Sequence, residues 1–396
     1  MKFTFHVSPN LRQRQSTKQI MFELLLGLAA VYIFALIYYF TEYGSTYAMQ
    51  AVLLLVTALV VALATESVFA IVLKKNVKQY LSSSFGWITA IILTLMCKID
   101  ITPYALGVAT FFSIFFGKLL FGGFGNNIFN PAAFGRAVIF NAFMAATTNV
   151  VTSATPLTVL GTTYDWMPGS EAAITSMMDT IGGLTALFTG WYPGAIGETS
   201  ALLILLVGAV LAYRQVIDWR VPTIYLGAIF VLTAAVALLC GIGSYQGIPG
   251  FIWYPCVHLF SGGVVFGAVF MLTDPVTSPT SAQGRVLFAL GAAIITVLIR
   301  LKANLPEGCL YSILIMNMLT PLIESAMDGK QLVVRSRARK AFIGLAAVGM
   351  AFVLLAASVV EPVMEDSASV ATNADQNEVL QTANVMVQES KGGDEL

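Results

Sequence analysis

The polar run Asn149-Val150-Val151-Thr152-Ser153-Ala154-Thr155-Pro156-Leu157 sets a threonine hydroxyl among small residues, and Pro156 turns the chain directly after it. A hydroxyl presented in this way can carry a group through an ester. Threonine is a poor nucleophile without a base beside it, and no such base lies nearby in the sequence. A separate enzyme would therefore have to attach the group. Taken alone, the run also reads as an ordinary loop.

A second kind of chemistry is suggested by ionisable residues set in or beside apolar runs: Glu66, His258, Asp274, Glu324 and, near the end of a run, Lys118. Such groups are costly in lipid and are candidates for ion binding or proton transfer. In Asn130-Pro131 and Asp274-Pro275 an amide or a carboxylate precedes proline, the pattern of a helix N-cap followed by its first residue. If those helices start at membrane depth, their free backbone groups can also coordinate an ion. Asp274, Asn130 and Glu66 are accordingly the ion-path candidates. The glycine-rich stretch Gly122–Gly125 has no preceding strand and lacks the GxGxxG spacing, so close helix packing at a tight connection is its expected role. Cys97, Cys240, Cys256 and Cys309 are scattered, with no CxxC pair and no Cys/His metal spacing. They read as small buried hydrophobes. No metal site and no catalytic set confined to this chain is expected.

The elements that hold these groups follow from composition. Of 396 residues, 57% are hydrophobic and only 11% charged, against about 25% charged in soluble domains. Mean hydropathy is +0.81. The chain reads as an all-α polytopic membrane protein with about 10–11 transmembrane helices, its partner being the lipid bilayer. The formal net charge is zero, and no nucleic-acid partner is expected. Residues 1–20 are basic and polar. The spans expected next lie near 22–40, 49–73, 85–97, 103–121, 131–146, 201–213, 221–240, 251–272, 286–301 and 310–323. An extra C-terminal span at 341–360 precedes an acidic tail, 361–396, that should lack fixed structure.

Charge orients the spans. Lys74, Lys75 and Lys78, the pair Arg214 and Arg220, and the cluster Lys330, Arg335, Arg337, Arg339 and Lys340 place those turns and the N-terminus on the cytoplasmic side. Between Arg136 and Arg214 there is no Lys or Arg, while Asp165, Glu171, Asp179 and Glu198 are acidic. The loop at about 147–200 is thus expected on the outer face. Arg300 and Lys302 are exceptions, since the count puts them in an outer loop.

Two stretches echo each other: Phe129-Asn130-Pro131-Ala132 with Gly135-Arg136, and Thr273-Asp274-Pro275-Val276 with Gly284-Arg285. Two structural repeats with discontinuous helices would produce such an echo. The order of spans leaves open whether they run parallel or inverted.

Together, Gly117-Lys118-Leu119-Leu120-Phe121-Gly122-Gly123, Asn127-Ile128-Phe129-Asn130-Pro131-Ala132, Thr152–Leu157, Gly197-Glu198-Thr199-Ser200 and Thr273-Asp274-Pro275-Val276 resemble the D subunit of the Rnf complex. Its relative is the B subunit of the sodium-pumping NADH:quinone reductase. The resemblance covers about residues 1–330. It implies FMN joined through its phosphate to a threonine in a motif like Asp-x-x-Ser/Thr-Gly-Ala-Thr, installed on the outer face by a flavin transferase. That threonine is Thr155, with Thr152 and Ala154 matching, Ser153 in place of glycine and Asn149 in place of the acid. Also implied are a second, non-covalent flavin (riboflavin), partner Rnf subunits A, B, C, E and G, and location in the bacterial cytoplasmic membrane. The complex would move electrons from reduced ferredoxin to NAD with export of sodium ions or protons. The alternatives are a quinone-reductase subunit, for which the roughly 20 residues before the first span make a short extension, and a solute channel or transporter without redox activity.

Overall fold

The computed structural model describes residues 15–143, 160, 161, 164, 166–192, 194–303 and 308–360. Thr152, Ser153, Ala154 and Thr155 lie outside the described residues, as do most of residues 1–20 and the tail 361–396.

Each segment expected as a span forms a helix, but not all are long. Helix α1 (Thr17–Tyr43) starts where Ser16 Oγ accepts a hydrogen bond from the Gln19 amide, and Gly44, with a positive φ of 85°, turns it into α2 (Ser45–Val72). Four other helices reach spanning length: α10 (Arg220–Cys240), α13 (Ala282–Lys302), α14 (Gly308–Ala326) and α15 (Gln331–Val359). A further crossing is a pair bent by 69°, α11 (Gly250–Phe260) followed by α12 (Val264–Phe266), which continues as a π-helical turn over Gly267–Met271.

The remaining apolar helices are short. They are α4 (Gly86–Leu95), α5 (Pro103–Ile114) with its π-helical turn Phe115–Leu119, α6 (Pro131–Ala142) and α9 (Ala201–Tyr213). At 1.5 Å per residue, the 10 residues of α4 cover about 15 Å, half of a bilayer core of about 30 Å. Small helices α3 (Val77–Ser84), α7 (Glu171–Thr180) and α8 (Gly183–Thr189) complete the set, and the described residues contain no strand beyond isolated bridges.

Contacts sort the molecule into two ends. One carries Lys74 and Lys75 and is clamped by Glu23 and Arg214, whose Nε and terminal nitrogen donate to both carboxylate oxygens at 2.8 and 2.7 Å. Asp218 closes the same end, accepting from Arg285 at 2.8 Å. Burial would raise the Asp218 pKa, but the bonds from Arg285 and the Arg220 amide outweigh it and hold the carboxyl below its usual range. This bond therefore stabilises at neutral pH and is lost as pH falls through that lowered value. At the opposite end Trp191 donates to Glu42, Tyr39 to the Gly194 carbonyl, and Gln50 to the Ile101 carbonyl.

Several expectations change here. Gly122, Gly123 and Gly125 all have positive φ, near 110°, 93° and 94°. They shape a left-handed turn at the basic end rather than a helix-packing surface. Asp274-Pro275 does not start a helix. Its carboxylate accepts from the Val276 amide and the Thr277 hydroxyl, both at 3.1 Å, and α13 begins only at Ala282, capped by Ser281. Pro279 explains the delay, because it disfavours helical geometry at Ser278. Arg300 is no loop residue: it lies in α13 with 3% exposure. Arg335, Arg337, Arg339 and Lys340 ride on the first three turns of α15, not in a linker before it. Their good helix propensity permits this, and their long stems can keep the charges in water.

Candidate functional site

Two polar centres are buried among apolar helices. The first lies toward the basic end, where the two echoing stretches meet. Asn130 caps α6, its Oδ1 accepting from the amides of Ala132 (3.0 Å) and Ala133 (3.3 Å). Its Nδ2 donates to the Met271 carbonyl at 3.4 Å, at the end of the second π-helical turn. Pro131 packs on Gly117, and its carbonyl accepts from Ser113. Helix α6 therefore starts beside the π-helical end of α5, inside the bundle. The hairpins α5–α6 and α12–α13 run in the same direction, and each descending arm ends in a π-helical turn, a rare form often kept at functional sites.

Against this junction sits an ion pair that sequence reasoning did not assemble. Glu66 of α2 is fully buried, and Lys118 Nζ lies 3.0 Å from its Oε1. Ser84 Oγ donates to the same oxygen at 2.5 Å, and Lys118 also donates to the Ser84 carbonyl. Glu66 Oε2 has no partner among the described residues. Lys118, Asn127, Asn130, Thr273 and Asp274 line one cavity. The three ion-path candidates thus converge, Asp274 and Asn130 on the cavity wall and Glu66 through Lys118. The signal available in the sequence was that Glu66 and Lys118 are opposite charges, each in apolar surroundings, and buried charges pair.

The cap gives a direct test. Asn130→Ala is expected to cost about 1 kcal/mol, as for other N-caps, while Asn130→Ser should recover most of it by restoring an acceptor. Thermal unfolding of the purified chain in detergent measures both. Full recovery with serine would show that the bond to Met271 adds little.

The second centre lies toward the other end, at the break between α11 and α12. Arg300 donates to the carbonyls of His258 and, at 3.0 Å, Ser261, the groups that the broken helix leaves open. Its guanidinium stacks 4.7 Å from the Trp166 ring, which lies 4.8 Å from His258. Tyr254 donates to the Trp166 carbonyl at 2.8 Å. Tyr192 donates to Glu198 and Phe260 carbonyls, tying the start of α9 to the same break. Both His258 nitrogens, Ser261 Oγ, Thr199 Oγ1 and Arg300 Nε lack partners among the described residues. Buried polar groups of this kind are few in a folded chain, and here they are gathered in one place. Sequence reading singled out His258 but not Arg300, whose signal was its misfit with the charge count.

The loop expected to carry Thr155 leaves α6 at Phe143, which packs on Tyr104, and returns to described chain by Leu160 and Trp166. The described residues that flank it, Phe143 and Trp166, lie toward the end opposite the basic clusters, Trp166 against the second centre.

The sequence matches the NQR2, RnfD, RnfE family over residues 4–332. The chain belongs to this family. Among curated relatives, the D subunit of a proton-translocating ferredoxin:NAD(+) oxidoreductase complex from Clostridium ljungdahlii is 35% identical over 336 residues, 81% of this chain and 93% of that protein. The D subunit of a Na(+)-translocating ferredoxin:NAD(+) oxidoreductase complex from Acetobacterium woodii is 36% identical, covering 82% of this chain and 93% of its own length. The D subunit of an ion-translocating oxidoreductase complex from Stutzerimonas stutzeri is 34% identical over 66% of this chain and 79% of its own length. Both buried centres fall within the region that this family shares. Nearly all of α15 lies beyond it.

Proposed function

We propose that the chain is the membrane-embedded D-type subunit of an ion-translocating ferredoxin:NAD+ oxidoreductase complex, with FMN joined by a phosphoester to Thr155 as an electron relay. The family match over residues 4–332 carries this reading. Its relatives divide between proton- and sodium-named complexes at nearly equal identity, so the transported ion stays open. The other Rnf subunits would hold the ferredoxin and NAD sites, and a flavin transferase would form the ester. In this reading the basic end faces the cytoplasm and the Thr155 loop the outer side, in keeping with the base-free interval from Arg136 to Arg214.

The described residues fit such a group in one respect. The orphaned donors of His258, Ser261 and Arg300 suit the polar edge of an isoalloxazine ring. Bound there, FMN supplies one-electron transfer, and the chain supplies position and polarity. Arg300 would keep a fixed positive charge near the ring, while the apolar helices around it exclude water. Glu66, Lys118, Asn130 and Asp274, toward the far end, would belong to the ion path.

In-gel fluorescence tests the covalent assignment. The chain co-expressed with a flavin transferase should give a fluorescent band after denaturation, and Thr155→Ala should abolish it. A dark wild-type band, with the transferase active on a control protein, would remove the relay role and leave a transporter reading to be tested by solute flux.

A further inference from the structure

At the basic end, the first turn of α15 leans across the starts of α10 and α13 and encloses a cavity of about 690 Å³. Its walls differ in kind. Arg220, Arg335 and Gln283 supply cationic and amide donors, and the N-terminus of α13, a helix of 21 residues, opens onto it at Ser281 and Ala282. Val286, Met327 and Leu332 supply the apolar wall. A small core of Leu287, Met327, Val334 and Ala338 pins α15 there. Leu332 remains 86% exposed, so the cavity is open toward the surroundings of the helix.

The charges are largely uncommitted. Arg335 makes no ion pair among the described residues, and Arg220 reaches Asp218 only at 3.7 Å, with the Trp219 ring 5.9 Å from its guanidinium. That carboxylate is already engaged at 2.8 Å by Arg285. No carboxylate side chain lines the cavity, although Asp328 borders it in sequence.

We propose that this cavity binds an anionic phospholipid. The headgroup phosphate would sit between Arg220, Arg335 and the α13 N-terminus, with an acyl chain against Val286 and Leu332. A soluble anion has no use for the apolar wall, and an uncharged lipid has none for two arginines and a helix N-terminus. Place agrees with chemistry, because the cavity lies at the ends of bilayer-length helices on the side that bears the basic clusters. One wall is α15, which lies beyond the family match, so the inference also accounts for that helix. It makes a headgroup site from surfaces that α10 and α13 would otherwise leave open.

The test is titration of the purified full chain, in detergent, with phosphatidylglycerol and phosphatidylcholine, followed by native mass spectrometry. Phosphatidylglycerol should bind about tenfold more tightly, and Arg220→Gln and Arg335→Gln should each weaken it about fivefold. Lys74→Gln, at the same end but outside the cavity, should change nothing. Inorganic phosphate in large excess should fail to displace the lipid. Equal affinity for the two lipids, or unchanged binding in both arginine variants, would overturn the proposal. Displacement by phosphate alone would also overturn it and would assign a free-anion site instead. None of these outcomes depends on a flavin at Thr155.

Discussion

Lys118→Met is expected to destabilise the chain by roughly 3–5 kcal/mol, the usual cost of stranding one partner of a buried ion pair. The reason is local. Glu66 is fully enclosed, and without Lys118 its carboxylate keeps only the Ser84 hydroxyl. Glu66→Gln should cost less, because the amide oxygen can still accept from Ser84 and the lysine keeps the Ser84 carbonyl. The double variant Glu66→Leu/Lys118→Met should return close to wild-type stability, since apolar replacement of a whole buried pair is often neutral or better. Thermal unfolding in detergent gives the three values. The double variant then separates structure from function. If it folds and the reconstituted complex still exports ions, the pair only braces α2 against the end of α5. If it folds while electron transfer persists without ion export, the pair belongs to the path.

Arg300→Gln is the second large effect. Arg300 satisfies two carbonyls where α11 ends and α12 has not begun, and it fills the space beside Trp166. Leaving both carbonyls unpaired in an apolar interior costs about 1–3 kcal/mol each, so a loss of roughly 2–6 kcal/mol is expected. Arg300→Lys should recover only part, because an ammonium cannot present a planar fork to two separated acceptors. Hydrogen exchange localises the effect: protection should fall at residues 258–264 before it falls in α13. A uniform loss across the bundle would mean that Arg300 acts by packing alone.

Much of this architecture could be read from the chain. Each apolar run became a helix, and Asn130 caps α6 as its place before Pro131 predicted. Hydropathy, however, reports how apolar a run is and not where its backbone breaks. The bend at Ser261-Gly262-Gly263 and the start of α6 inside the bundle were therefore not legible as depth, although Gly262, with φ near 68°, supplies the break. The pair of Glu66 and Lys118 joins residues 52 apart and needed the fold to bring them together. Asp274-Pro275 misled because a local motif was read without Pro279 four residues on. Arg300 looked like an error in the charge count, because a cation inside a bundle and one in an outer loop carry the same letter.

The common direction of the hairpins α5–α6 and α12–α13 gives their echo a geometric meaning. A rotation that superposes these two hairpins has its axis along the bundle, so each end of one maps onto the same end of the other. The polar centres do not follow that relation: a carboxylate–ammonium pair lies toward one end of the molecule and an arginine-clasped break toward the other.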